Sequence, residues 1–176
     1  MSTVANLELP TQIHRRLLGH LLPRKPKAEE AAFIYARFQD SSFKFVEWYP
    51  VPVSDFEHRS LYHIELTDDC RAKTIKRAHD LGCSMVEFHS HPVASTAAFS
   101  PSDCAGFREY VPHVSWRLKG RPYAAVVVAP SSFDSLAWIN TPKTPDGVVE
   151  IAVGKNILLP TGVTFKAGGH ISAKSV

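Results

Sequence analysis

The stretch SMVEFHSHPVASTAAFSPSD, residues 84–103, combines a predicted strand, a loop and a predicted helix start. Residues 84–90 read as a strand, on which side chains two residues apart point to the same side of a sheet. His89 and His91 can therefore face one point. The segment that begins at Ser100 has a serine cap, a proline at the first helical position and an acid, Asp103, at the third, which is typical of a helix N-terminus.

These side chains make a candidate metal site. Neutral imidazole is a preferred zinc ligand, and a catalytic zinc usually takes three protein ligands and one water. A helix N-terminus stabilises an ionised carboxylate, which is the form that a metal needs. Asp103 can therefore complete a set with His89 and His91. The residues alone leave two alternatives open, a surface pair of histidines and an ordinary helix cap.

Length and composition narrow the class of protein. A chain of 176 residues fits one compact domain, and contents of 44 % hydrophobic and 21 % charged residues are typical of a globular protein. The net charge of +3 is spread along the chain, so we expect no nucleic-acid partner. Three cysteines without CxxC spacing argue against a disulfide scaffold or a thiolate zinc site. No apolar run of membrane-spanning length and no secretory leader are present, so we expect a cytoplasmic protein without a membrane partner.

The spacing of apolar residues predicts an α/β domain. Helices are predicted over residues 11–22, with Thr11 as N-cap, over residues 67–82, and from Ser100 onward. Strands are predicted over residues 29–38 and 43–53, which form a hairpin, and over 62–66, 84–90, 121–130 and 133–140. These elements predict a single domain over residues 11–160, built as a mixed β-sheet flanked by helices. We expect residues 1–10 to be an N-terminal segment and residues 161–176 to be a partly flexible tail.

The motif H-S-H-P at residues 89–92, the loop after it, and S-x-x-D at residues 100–103 resemble the signature of the JAB/MPN metalloproteases, also called JAMM proteases. The chain looks like the small stand-alone prokaryotic members, which are similar to deubiquitinases. The resemblance implies the mixed, helix-flanked sheet of that family. It also implies one catalytic zinc bound by His89, His91 and Asp103, with Ser100 supporting the oxyanion and a glutamate on an earlier strand acting as general acid/base.

Two adjacent glutamates compete for the general acid/base position. Family members carry small residues, usually glycines, three and seven residues after this glutamate. Glu29 fits best because alanines stand at both of those positions, whereas Glu30 would place a phenylalanine and an arginine there. Glu87 is a rival on local geometry, since strand alternation puts it on the same face as His89 and His91.

The resemblance implies that the protein hydrolyses an amide or isopeptide bond after the C-terminal tail of a ubiquitin-like protein. Such an enzyme would process a precursor or remove the modifier from conjugates, so its partners would be the modifier, its conjugates and the associated conjugation enzymes. In the mechanism that the resemblance implies, Glu29 would accept the proton of a water activated by zinc, and Ser100 would help to stabilise the developing oxyanion. The alternative is a non-catalytic MPN-type scaffold that binds a ubiquitin-like partner, but every expected ligand type is present.

Overall fold

The computed structural model describes residues 3–168. These residues form four helices, α1 (Thr11–Leu21), α2 (Asp68–Leu81), α3 (Pro101–Arg117) and α4 (Val163–Lys166). They also form ten strands, β1 (Thr3–Leu9), β2 (Ala31–Gln39), β3 (Ser42–Pro50), β4 (Phe56–Arg59), β5 (Ile64–Leu66), β6 (Ser84–Ser90), β7 (Tyr123–Ala129), β8 (Ser132–Trp138), β9 (Gly147–Val153) and β10 (Asn156–Leu158). Within this part of the chain, no helix is both long enough and apolar enough to cross a membrane.

Seven of the strands close into a barrel in the order β1-β3-β2-β6-β7-β8-β9. The closure depends on β1, which pairs in parallel with β3 along one edge and with β9 along the other. The predicted mixed sheet flanked by helices, as implied by the JAB/MPN resemblance, is therefore wrong. Because β1 is hydrogen-bonded on both sides, the main sheet is a ring rather than an open layer.

A glycine allows the two strands to meet where β1 and β9 begin. Thr3 lies opposite Gly147 in the pairing of these strands. A Cβ atom at position 147 would lie 2.2 Å from the carbonyl oxygen of Thr3, so any other side chain would force the backbones apart. The side chains of β1 alternate, and Ala5, Leu7 and Leu9 are buried in the same apolar cluster as helix α1.

Helices α2 and α3 cover the face of the barrel wall opposite the apolar cluster that contains α1. They pack against the odd-numbered residues of β7. All of β7 is buried, as its continuous apolar sequence predicts. The predicted start and end of α2 are confirmed, since Thr67 caps its first turn and Gly82 ends it in a left-handed conformation, with φ of 66°. The predicted hairpin is also confirmed, as β2 and β3.

The two ends of the chain complete the description. The expected N-terminal segment contributes β1 from residue 3 onward, and the expected C-terminal tail contains α4. Residues 1–2 and 169–176 lie outside the described residues.

Candidate metal centre

Two neighbouring strands fix the position of the histidines at the end of β6. This strand is antiparallel to β2, with His89 opposite Ala31, and parallel to β7, with His89 opposite Val127. Just beyond β6, the backbone N–H of His91 donates to the carbonyl oxygen of Val128 over 2.7 Å. The backbone of both histidines is therefore held by the barrel wall rather than by a free loop.

The capping box at the start of α3 aims the carboxylate of Asp103. Its Oδ2 atom accepts hydrogen bonds from the backbone N–H and the hydroxyl of Ser100, both over 2.7 Å. The backbone N–H of Asp103 donates in return to the Ser100 hydroxyl oxygen over 3.1 Å. The cap predicted from the sequence is confirmed, and the same carboxylate lies beside both histidines.

Three donor atoms converge at this point. The Nε2 atoms of His89 and His91 are 3.2 Å apart, and each lies 3.5 Å from Oδ2 of Asp103. A tetrahedral zinc ion with ligand bonds of about 2.0–2.1 Å separates its ligand atoms by roughly 3.3–3.4 Å. The three separations are thus close to those between the ligand atoms of such an ion, and the two Nε2 atoms are also within hydrogen-bond distance of each other. His89, His91 and Asp103 thus form a group that could hold a metal ion.

The charge state of Asp103 suits a metal ligand. Burial alone would raise the pKa of this carboxyl group, but the neighbouring His89, His91 and Ser100 outweigh burial and hold the pKa well below its usual range. For His89, burial lowers the pKa, but the neighbouring Asp103 carboxylate more than offsets this effect. The pKa of His89 is therefore raised overall. The site therefore keeps its carboxylate ionised, as metal coordination requires.

The side chain of Glu29 lies next to this triangle. It is buried, with 4 % of its surface exposed, and its Oε1 atom is 3.7 Å from Nε2 of His91. Burial raises the pKa of Glu29, and the nearby histidines partly oppose this change. A carboxyl group so placed is outside the set of three converging donors but close enough to exchange a proton with a molecule bound there.

The register of β2 against β6 separates Glu29 from its neighbour. Because Ala31 lies opposite His89, the residue two positions earlier, Glu29, falls on the same side as His89 and His91. Glu30 instead forms an ion pair with Arg59. The structure therefore brings Glu29, and not Glu30, to the histidines.

The remaining sequence-predicted residues lie close by. Glu87 is on the same face as the histidines, as alternation predicts, but it stands in an adjacent pocket and accepts a hydrogen bond from the Tyr123 hydroxyl. Burial raises the pKa of Glu87, and the bond from Tyr123 opposes this effect. Ser100 is the helix cap, and its hydroxyl contacts Asp103 rather than facing away from the site.

Sequence reasoning missed a buried network that anchors the loop between the histidines and α3. The carboxylate of Asp134, fully buried on β8, accepts hydrogen bonds from the backbone of Gly162 and from both the backbone and hydroxyl of Thr164. The Thr164 oxygen accepts in turn from the backbone N–H of Phe99 over 3.0 Å, and the Phe99 ring packs on His89. No local motif marks this network, since its members are 30 and 65 residues apart.

Replacing Thr164 with valine should weaken the binding of added zinc to the candidate metal centre about tenfold. The backbone N–H of Phe99, the residue just before the α3 cap, loses the hydroxyl oxygen that accepts its hydrogen bond. Thr164→Ser, which keeps the hydroxyl, should restore the affinity. A competition titration against a chromogenic chelator measures both. Thr74→Val is the matched control, since it removes another buried threonine hydroxyl, bonded within α2, and should lower only the thermal stability. Unchanged zinc affinity in Thr164→Val would show that the network does not position the site.

Comparison with known proteins adds information on the fold. No family model matches the chain, and no curated protein matches it significantly. Among solved structures, the chain is similar to the solution structure of protein DSY2949 from Desulfitobacterium hafniense, with a TM-score of 0.54 and 16 % sequence identity. The match covers 85 % of this chain and 94 % of that one. At this identity the likeness concerns the fold alone.

Proposed function

We propose that this protein is a zinc-dependent peptidase or isopeptidase of the JAB/MPN metalloprotease type. One observation carries the proposal: Nε2 of His89, Nε2 of His91 and Oδ2 of Asp103 converge at separations of 3.2–3.5 Å. A buried glutamate, Glu29, stands beside them. The support comes from side-chain types and geometry, and it does not depend on the helix-flanked mixed sheet that the sequence predicted.

The donor set favours a transition-metal ion over calcium or magnesium, and zinc is the ion of this proposal. Calcium and magnesium prefer oxygen ligands, whereas two imidazoles with one carboxylate suit zinc. Three protein ligands also match a catalytic rather than a structural zinc site, which takes four protein ligands. When bound here, zinc would supply Lewis-acid chemistry by polarising a carbonyl group and lowering the pKa of a water molecule.

Glu29 is the proton carrier in this proposal. Its carboxylate accepts a proton from the attacking water and then delivers that proton to the nitrogen of the leaving amine. Burial supports the first step, because a raised pKa makes the Glu29 carboxylate a stronger base than an exposed carboxylate. The net reaction is the hydrolysis of one amide bond to a carboxylic acid and an amine.

Ser100 supports the negative charge that develops on the carbonyl oxygen. Its hydroxyl can rotate, so the hydrogen that now points to Asp103 is able to turn toward a substrate. A single donor of this kind contributes a few kcal/mol to transition-state stabilisation. Asp103 and Ser100 are joined by the capping box, which keeps the ligand and the oxyanion donor at a fixed spacing.

The substrate class rests on the sequence resemblance. It is the C-terminal tail of a ubiquitin-like protein, cut from a precursor or from a conjugate, with the associated conjugation enzymes as further partners. An extended tail could pair through backbone hydrogen bonds with the two-stranded β4–β5 sheet, which does not belong to the closed barrel. The cytoplasmic location belongs to the same proposal.

Cleavage of a fusion protein tests this function. A ubiquitin-like protein joined through its C-terminal Gly-Gly to a reporter should be cut by the zinc-loaded enzyme, as followed by mass spectrometry. An excess of zinc chelator should abolish cleavage, and restored zinc should recover it, because the reaction needs the metal. Unchanged cleavage under effective chelation would contradict the mechanism. Tight binding of the fusion without cleavage would favour the non-catalytic scaffold.

A further inference from the structure

A pocket of about 280 Å³ lies beside the candidate metal centre, and the mechanism above does not use it. One end of the pocket is formed by His89 and Asp103. The other walls are mostly aromatic and aliphatic, and they come from several separate elements, among them β2 with Phe33, β5 with Leu66 and α3 with Phe107. A concave apolar space that shares two side chains with a metal centre is well placed to take part of a substrate.

Glu87 brings a carboxylate into this apolar space. The hydroxyl of Tyr123, a buried residue of β7, donates to its Oε2 atom and fixes the orientation of the group. Desolvating a carboxylate in apolar surroundings is costly unless it gains compensating hydrogen bonds or an opposite charge. One neutral hydroxyl compensates only part of that cost, so a ligand with a positive charge would gain strongly from contact with Glu87.

The other charged groups around the pocket are consistent with a cationic ligand. Glu65 adds a third carboxylate, after Asp103 and Glu87, at the exposed rim. Arg71 is a cation in the lining, and its guanidinium lies over the ring of Tyr110, 5.6 Å from the ring centre. Arg71 also lines a neighbouring hollow with Asp68, where further acidic groups surround it. Arg71 thus lines both spaces, and its charge is not directed at Glu87 alone.

We propose that this pocket is a specificity subsite in which Glu87 binds the ammonium or guanidinium group of a lysine or arginine side chain that flanks the scissile bond. The aliphatic stem of that side chain would lie between Phe33 and Phe107, and aromatic faces favour a nearby cation. This inference rests on the proposed function for the bond that is cut. Binding in the pocket itself requires no hydrolysis.

Two blocked tripeptides, acetyl-Gly-Gly-Lys-amide and its norleucine analogue, test the subsite. They share the same aliphatic stem and differ in the terminal ammonium group. Titrations followed by NMR use the zinc-loaded full chain carrying Glu29→Gln, so that neither peptide is consumed. The lysine peptide should bind about tenfold more tightly, and its addition should shift the amide signals of Leu66, Gly106 and Phe107.

Two further substitutions in that protein locate the binding. Glu87→Gln keeps an acceptor for the Tyr123 hydroxyl but removes the charge, so the preference for lysine should disappear. Gly106→Leu should weaken both peptides, because Gly106 lies at the exposed rim of the pocket and a Cβ there meets no atom within 4 Å. Gly19→Leu is the matched control on α1, where a Cβ also meets open space, and it should change neither affinity.

The outcomes separate this inference from the proposed function. Equal affinities of the two peptides for the Glu29→Gln protein, or a lysine preference that survives Glu87→Gln, would overturn the subsite. A lysine preference that depends on Glu87, found in a protein whose wild-type form does not cut the fusion, would support the subsite and refute the peptidase. Metal-dependent cleavage without any lysine preference would refute the subsite alone.

Discussion

Glu29→Gln should lower the rate of fusion cleavage about 1000-fold while the protein keeps its zinc. Glutamine has nearly the same shape as glutamate but cannot accept and return a proton at this position. Glu29 is not one of the three converging ligands, although its Oε1 atom lies 3.7 Å from Nε2 of His91. Single-turnover cleavage followed on gels, together with the zinc content of the same sample, measures both effects.

Glu30→Gln is the control for this experiment. It makes the same chemical change one residue away and removes the partner of Arg59. The ion pair is partly exposed, so its loss should change the cleavage rate by no more than about threefold. A larger loss in Glu30→Gln than in Glu29→Gln would show that the acid/base assignment is wrong.

Asp103→Asn should weaken zinc binding at least about 100-fold, because a neutral amide replaces the only anionic ligand of the proposed set. Asparagine is close in size to aspartate, and its oxygen can still accept hydrogen bonds from Ser100 at the start of α3. The loss should therefore reflect coordination rather than unfolding of the helix. Competition with a chelator of known affinity measures the dissociation constant, and circular dichroism checks the fold.

The N-cap of α2 provides the matched control for Asp103→Asn. Thr67→Ala removes the side chain that accepts a hydrogen bond from the backbone of Cys70, which should destabilise the protein by about 1 kcal/mol. It should leave zinc affinity unchanged, since Thr67 is not part of the ligand group. Wild-type zinc affinity in Asp103→Asn would show that this carboxylate is not a ligand.

Local signals in the sequence were sufficient for several elements of the site. Caps, turns and apolar periodicity act over a few residues, so the cap of α3 at Ser100 and the histidine pair at the end of β6 could be predicted. The alternation of side chains along a strand is also local, and it predicted that Glu87 lies on the same face as His89. Because all of these signals are local, the ligand candidates could be named without knowing the fold around them.

The closure of the barrel could not be predicted in this way. It depends on pairing Thr3 with Gly147, at opposite ends of the chain, and no local pattern specifies such a partner. The alternation of Ala5, Leu7 and Leu9 does indicate a strand, but not the strands on either side of it. The expected sheet flanked by helices was wrong because β1 lies in the expected N-terminal segment and pairs with both β3 and β9, which closes the barrel.

Non-local pairing also decides the details of the site. Glu29 and Glu30 are adjacent, and only the register that places Ala31 opposite His89 distinguishes them in the structure. The anchor formed by Asp134 and Thr164 likewise depends on contacts between distant segments. The sequence therefore predicts candidate residues for the site, whereas the fold determines which of the two adjacent glutamates lies beside the histidines.

Zinc K-edge X-ray absorption spectroscopy of the zinc-loaded wild-type protein tests most directly whether His89, His91 and Asp103 hold the metal. We predict a first shell of nitrogen and oxygen atoms at about 2.0–2.1 Å, with the scattering pattern of two imidazole rings and no sulfur. Cys104, which is buried and directly follows Asp103, is the nearest thiol in sequence. A sulfur neighbour at about 2.3 Å would contradict the ligand set and the mechanism built on it.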